Sequence, residues 1–123
     1  MVCQNQNNMI MTRGDTTKWY FQRKDNDGNV ITTRPSKLFF TVKSDQRNLT
    51  PVFQITFREM TLDEDGKIHF TILPQHTNGL NWQKQYWYDI EVIDAGVKTT
   101  ISYGKFTLKP EVTWVQNEDG ESE

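Results

Sequence analysis

Apolar and polar residues alternate with a period of two through most of this chain, and that periodicity restricts it to β structure. "TKWYFQR" at 17–23 sets Trp19 and Phe21 against Lys18, Tyr20 and Gln22. "LFFTVKS" sets Leu38, Phe40 and Val42 against Phe39, Thr41 and Lys43. "VFQITFR" offers Phe53, Ile55 and Phe57, "KIHFTIL" offers Ile68, Phe70 and Ile72, and "YWYDIEV" offers Tyr86, Tyr88, Ile90 and Val92. "TISYGKFTLK" adds Phe106 and Leu108, and "VTWV" at 112–115 reads as a last short strand. β-branched and aromatic residues fill these runs, as a half-buried pleated surface favours. No stretch keeps a helical period over three turns.

Turn signals separate the runs: "DNDGN" at 25–29, "RP" at 34–35, "LTP" at 49–51, "DEDG" at 63–66 and "DAG" at 94–96. Asp-Gly pairs supply the positive φ of tight hairpins. About seven or eight short strands at such spacing predict an all-β, antiparallel β-sandwich. "LPQHTNGLNW" at 73–82 breaks the alternation. Its Pro74 and Gly79 predict one helical or 3₁₀ turn near 74–80, crossing between the sheets. The expected organisation is a flexible leader at 1–7, one sandwich domain at 8–115 and an acidic flexible tail at 116–123.

At 123 residues the chain suits a single core. Only 35% of residues are apolar but 12% are aromatic, so the core is expected to be built from a few large rings. A formal charge of -2 argues against general nucleic-acid binding. Basic residues outnumber acidic ones up to Thr61, and the reverse holds from Leu62 to the terminal "NEDGESE". Such a split suits heterologous contacts between copies. The lone Cys3 allows neither an internal disulfide nor a Cys-based metal site. "MVCQNQNNMIM" has no apolar run of signal-peptide length, and no later run could span a membrane, which predicts assembly in a cytoplasm.

Catalytic and metal patterns fail on inspection. An EF-hand loop aligned on Gly28 puts Arg23 and Arg34 at its first and last ligand positions, and one aligned on Gly66 puts Thr61 and Ile72 there. His69 and His76 have no matching carboxylate pattern, and His69 is expected on a strand surface. Neither Gly-x-Ser-x-Gly nor a phosphate-cradling loop occurs. Asp89 and Glu91 share one strand face, which reads as solvated surface rather than as a glycosidase pair. No enzyme activity, cofactor or metal is expected. Arg13-Gly14-Asp15 matches the tripeptide gripped by animal integrins, but it is squeezed between two strand runs and reads as a structural corner. There Asp15 is expected to accept a backbone N–H. The strongest binding signal is aromatic: Tyr20, Phe39, Trp87 and Tyr103 fall on the outward positions of their strands. Outward rings of this kind are expected to be covered by protein neighbours, with a loop of the same chain or a stacked carbohydrate as the alternatives.

The order of short motifs resembles a known group. Ile10 to Thr16, containing Thr-Arg-Gly-Asp-Thr, precedes the aromatic run Trp19 to Phe21, then Asp25 to Gly28 and Phe-x-Val-Lys at Phe40 to Lys43. Asp65-Gly66, Pro74 with Thr77, Tyr-x-Tyr-Asp-Ile at Tyr86 to Ile90, Thr100-Ile101 with Gly104 and Phe106, and Val112-Thr113 complete the series. From about residue 9 to 113 the chain resembles small immunoglobulin-like virion structural proteins of tailed phages and prophages of Gram-positive bacteria. It is also similar to the N-terminal domain of the siphophage upper baseplate protein. The resemblance implies an immunoglobulin-like sandwich in a baseplate, tail or head decoration. Its implied partners are other virion proteins and copies of itself, with no membrane and no catalytic residues. Lys84-Gln85 stands where the group often has Gly before the Tyr-x-Tyr-Asp-Ile strand, and Trp82 and Trp87 are unusually bulky.

Overall fold

The computed structural model describes residues 5–45, 47 and 50–111. The strands are β1 (Asn5–Gln6), β2 (Met9–Thr12), β3 (Thr17–Gln22), β4 (Lys37–Lys43), β5 (Phe53–Thr56), β6 (Thr61–Leu62), β7 (Lys67–Ile72), β8 (Tyr86–Asp94) and β9 (Val97–Lys109). A 3₁₀ turn occupies Phe57–Glu59, and the single α-helical turn α1 spans Pro74–Thr77. The strand read at 112–115 and the tail at 116–123 lie outside the described residues. β1 falls inside the segment 1–7 read as a leader.

Two sheets form the sandwich. The larger runs β1-β9-β8-β4-β5, with β2 also on β9, and the smaller runs β3-β7-β6. Pairing is antiparallel except at one edge, where β1 and β2 run parallel to β9. With the first strands parallel to the last and the crossing turn α1 before β8, this is an all-β, immunoglobulin-like sandwich. Tyr86 supplies the corner hydrogen bond of such folds: its hydroxyl accepts from the Asn81 amide at 2.9 Å, just upstream of β8.

The alternation read from sequence places the core. Leu38, Phe40 and Val42 of β4, Tyr88, Ile90 and Val92 of β8, and Phe106 and Leu108 of β9 face Ile68, Phe70 and Ile72 of β7, all buried. Phe40 is fully buried at the centre, with ring centroids 4.8 Å from Phe70, 5.7 Å from Tyr88, 6.0 Å from Phe53 and 6.4 Å from Phe106. Such ring pairs add to the area term of burial. The Phe40–Phe70 pair joins the two sheets, where related folds often place a disulfide.

Both acidic turns spend their first carboxylate on backbone. Asp25 Oδ1 accepts from the amides of Asp27 and Asn29, and Asp63 Oδ1 from those of Asp65 and Lys67, each at 2.9 Å. Gly28 and Gly66 supply the positive φ in each loop. The β8–β9 hairpin turns through Ala95 (φ 51) and Gly96 (φ 79), the two positive φ values of a type I′ loop.

One strand reading is corrected. The run "VFQITFR" leaves the sheet after Thr56, and Phe57 opens the 3₁₀ turn instead of continuing β5. The chain must cross there to bring β6 beside β7, so the alternation ends before the apolar residues do.

Candidate functional site

The corner at Arg13-Gly14-Asp15 is tied down on all sides. Arg13 donates to the Leu80 carbonyl at 3.2 Å and pairs with Glu111 at 2.7 Å. The Gly14 amide donates to Oγ1 of the buried Thr77 at 2.8 Å. Gly14 has φ 85, the value a type II turn requires at its third residue, and an added Cβ would stand 3.0 Å from Asn78 Oδ1. The Asp15 amide donates to the Thr12 carbonyl at 3.1 Å. The expected acceptor role of Asp15 is not taken: its carboxylate makes no hydrogen bond among the described residues. The tripeptide joins the β2–β3 turn to α1 and to Glu111.

The four outward rings do not form one patch. Tyr20 lies on the smaller sheet, 61% exposed, paired across the strands with His69 at 5.7 Å and with Lys67 Nζ 5.2 Å from its ring centre. His69 bonds Asp63 Oδ2 at 2.9 Å, which holds the Asp63 carboxyl below its ordinary range.

Phe39, Trp87 and Tyr103 share the outer face of the larger sheet. Register sorts them further: Lys43 pairs with Trp87 and Trp87 with Lys105, while Thr41 pairs with Asp89 and Asp89 with Tyr103. Trp87 and Tyr103 are therefore diagonal neighbours across one ladder step. With Thr41, Lys43 and Asp89 they line a notch of about 170 Å³. Phe39 stands in the row of Glu91 and opens instead onto a groove at the sheet's end.

Asp89 is the unusual group in the notch. Its carboxylate is half-buried and makes no hydrogen bond or ion pair among the described residues. Burial, and then repulsion from Glu91, raise its pKa above the ordinary carboxylate range, while Lys43 and Lys98 pull it back only in part. Asp89 is thus not the solvated residue that strand alternation alone suggests. Its neighbour Glu91 does pair, with Lys98 at 3.4 Å.

The end groove escaped the sequence reading. Arg34, Lys37, Phe39, Phe57 and Arg58 line an open space of about 620 Å³ where β4 begins and β5 ends. The Arg34 guanidinium lies 4.7 Å over the Phe57 ring. The excess of basic residues before Thr61 was its only sequence signal.

Among the described residues, no group of three or more His, Cys, Asp or Glu is placed to hold a metal ion. No helix among them is long and apolar enough to cross a membrane. No known protein-family model matches the chain, and no curated protein matches it.

Proposed function

We propose that this chain is a non-enzymatic structural protein of a tailed phage or prophage particle, in a baseplate, tail or head decoration. It works by packing against other particle proteins and against copies of itself. It is made and assembled in the host cytoplasm and ends in the virion. The ordered series of short motifs supports the virion setting. One structural observation supports the mode of action: Trp87 and Tyr103 flank Asp89, a half-buried carboxylate with no hydrogen bond or ion pair among the described residues. A half-buried carboxylate there, offset only in part by Lys43 and Lys98, costs the free fold stability, and a cationic or hydrogen-bond-donating group from a neighbour would reduce that cost. Aromatic anchors around a polar group are the usual centre of a protein interface.

Trp87→Ala tests the face. The side chain is half-exposed, so the variant is expected to fold while its assembly weakens by about 30-fold or more, as loss of a central Trp does. Unchanged assembly removes Trp87 from the interface. Mass spectrometry of purified particles, quantified against the major capsid protein, tests the setting. A fixed stoichiometric ratio is expected, and absence from particles despite abundance in the lysate refutes it.

The same notch favours one second reading, a carbohydrate-binding or host-adhesion module. There a sugar ring stacks on Trp87 and a sugar hydroxyl donates to Asp89. That reading requires saturable quenching of tryptophan fluorescence by cell-wall polysaccharide, absent in Trp87→Ala.

A further inference from the structure

We propose that the end groove lined by Arg34, Lys37, Phe39, Phe57 and Arg58 receives the acidic segment 117–123, Asn-Glu-Asp-Gly-Glu-Ser-Glu, of a neighbouring copy of this chain. The contact is head-to-tail, because the groove and Glu111, after which the segment follows in sequence, lie at opposite ends of β9.

Charge favours this occupant. The exposed Arg34, Lys37 and Arg58 have no ion pair among the described residues. The neighbouring carboxylates are already engaged: Glu91 pairs with Lys98 at 3.4 Å, while Asp94 lies 3.7 Å from the buried Arg23 and accepts from the Ser36 amide at 2.9 Å. Glu59 follows Arg58 and is exposed, leaving the groove basic. The segment supplies Glu118, Asp119, Glu121 and Glu123 without a basic residue between them. Phe39 and Phe57 line the same groove as these charges, and offer apolar contact to the segment's backbone.

Geometry favours a second copy over the same one. Phe39 is in register with Glu91 and Thr100 at the start of β9. The described residues end beyond the other end of β9, where Arg13 donates its amide to the Lys109 carbonyl and its guanidinium to Glu111. Nine strand residues separate Thr100 from Lys109, about 30 Å at 3.3 Å per residue. Fully extended from Glu111, the chain reaches at most about 25 Å at Glu118 and about 29 Å at Asp119. Glu118 and Asp119 of one copy therefore fall short of its own groove, and only Glu121 and Glu123, at about 36 and about 43 Å, could span the distance. A neighbour stacked end to end places its groove beside Glu111, within reach of all four acidic residues. A heterologous contact of this kind closes into a ring or runs on as a filament.

The test uses full-length chains in sedimentation velocity. A groove variant carries Arg34→Glu, Lys37→Glu and Arg58→Glu, and a tail variant carries Glu118→Gln, Asp119→Asn, Glu121→Gln and Glu123→Gln. Wild type is expected to associate with rising concentration, at least about tenfold more weakly in 0.5 M than in 0.05 M salt. Each variant alone is expected to stay monomeric with an unchanged far-ultraviolet spectrum. Their equimolar mixture holds one intact groove and one intact segment, so it should give a one-to-one heterodimer and nothing larger. A monomeric wild type, a tail variant that associates like wild type, or a mixture that stays monomeric overturns the proposal. The inference does not rest on the virion setting, and Trp87→Ala probes a different surface, so the two ideas fail separately.

Discussion

Gly104→Ala should loosen the seating of Asn7 on β9, and the structure says by how much. Gly104 sits mid-strand in β9 opposite Tyr88, and the backbone of Asn7 crosses directly above it. A Cβ at this position would stand 1.9 Å from the Asn7 carbonyl oxygen and 2.8 Å from its carbon. Relief to ordinary contact moves that carbonyl by about 1.3 Å, which breaks a hydrogen bond of normal length. The bonds at stake are Tyr88 hydroxyl to Asn7 carbonyl at 2.7 Å and Asn7 amide to Tyr103 carbonyl at 3.0 Å. At about 1 kcal/mol each, with about 0.5 kcal/mol for a phenol left to Ser102 alone and a similar gain from the stiffer unfolded chain, the net loss is about 2 kcal/mol. For a domain of this size that lowers Tm by about 8 °C. Thermal unfolding supplies the number, and hydrogen exchange at the Asn7 amide supplies the location. Gly79→Ala is the control, because no atom lies within 4 Å of its added Cβ. Equal Tm values for both variants, with the Asn7 amide still protected, would refute the close crossing.

Three further outcomes are expected. Asp89→Asn should raise Tm at pH 7 but not at about pH 3. The folded pKa is raised, so the stabilising protonated form is fully present below the ordinary aspartate value and is lost as pH rises through the folded one; identical Tm differences at both pH values would contradict this. Tyr86→Phe strips the Asn81 amide of its acceptor and should cost about 1–2 kcal/mol in urea unfolding, whereas a loss within error would show that water replaces the hydroxyl. Ala95→Asn relieves a non-glycine residue at φ 51 and should stabilise by a few tenths to about 1 kcal/mol in the same assay, a gain that a strained turn requires.

Period-two alternation made most strands and the inward rings readable, because each side of the pleat has one environment. Partnership across the sheet was not readable. The β8–β9 pairing slips by one residue at Ile90/Glu91, so Asp89 meets Tyr103 and Tyr88 meets Gly104. Counting back from the Ala95-Gly96 turn without that bulge would set Tyr103 opposite Tyr88, facing the core. The notch of Trp87, Asp89 and Tyr103 thus depends on an irregularity with no signature of its own in the sequence. Phe57 and Arg34 are far apart along the chain and meet only because β5 stops at Thr56. Outwardness belongs to a single strand, whereas adjacency belongs to the folded sheet.

The borders of the two sheets carry a consequence for how copies can meet. β5 is four residues long, preceded by Pro51 and ended by a 3₁₀ turn, and β6 is two residues long. β3 points the charged Lys18 outward. The far rim, where β1 and β2 lie on β9, is interrupted at Asn7 and Asn8. Among the described residues the β5, β6 and β1–β2 borders thereby lack a long, flat run of free amides and carbonyls on which another chain could continue the ladder, and the six-residue edge of β3 is guarded by its outward charge. Any surface this domain offers is therefore a surface of side chains, and a contact made on it could form or part without unravelling a strand.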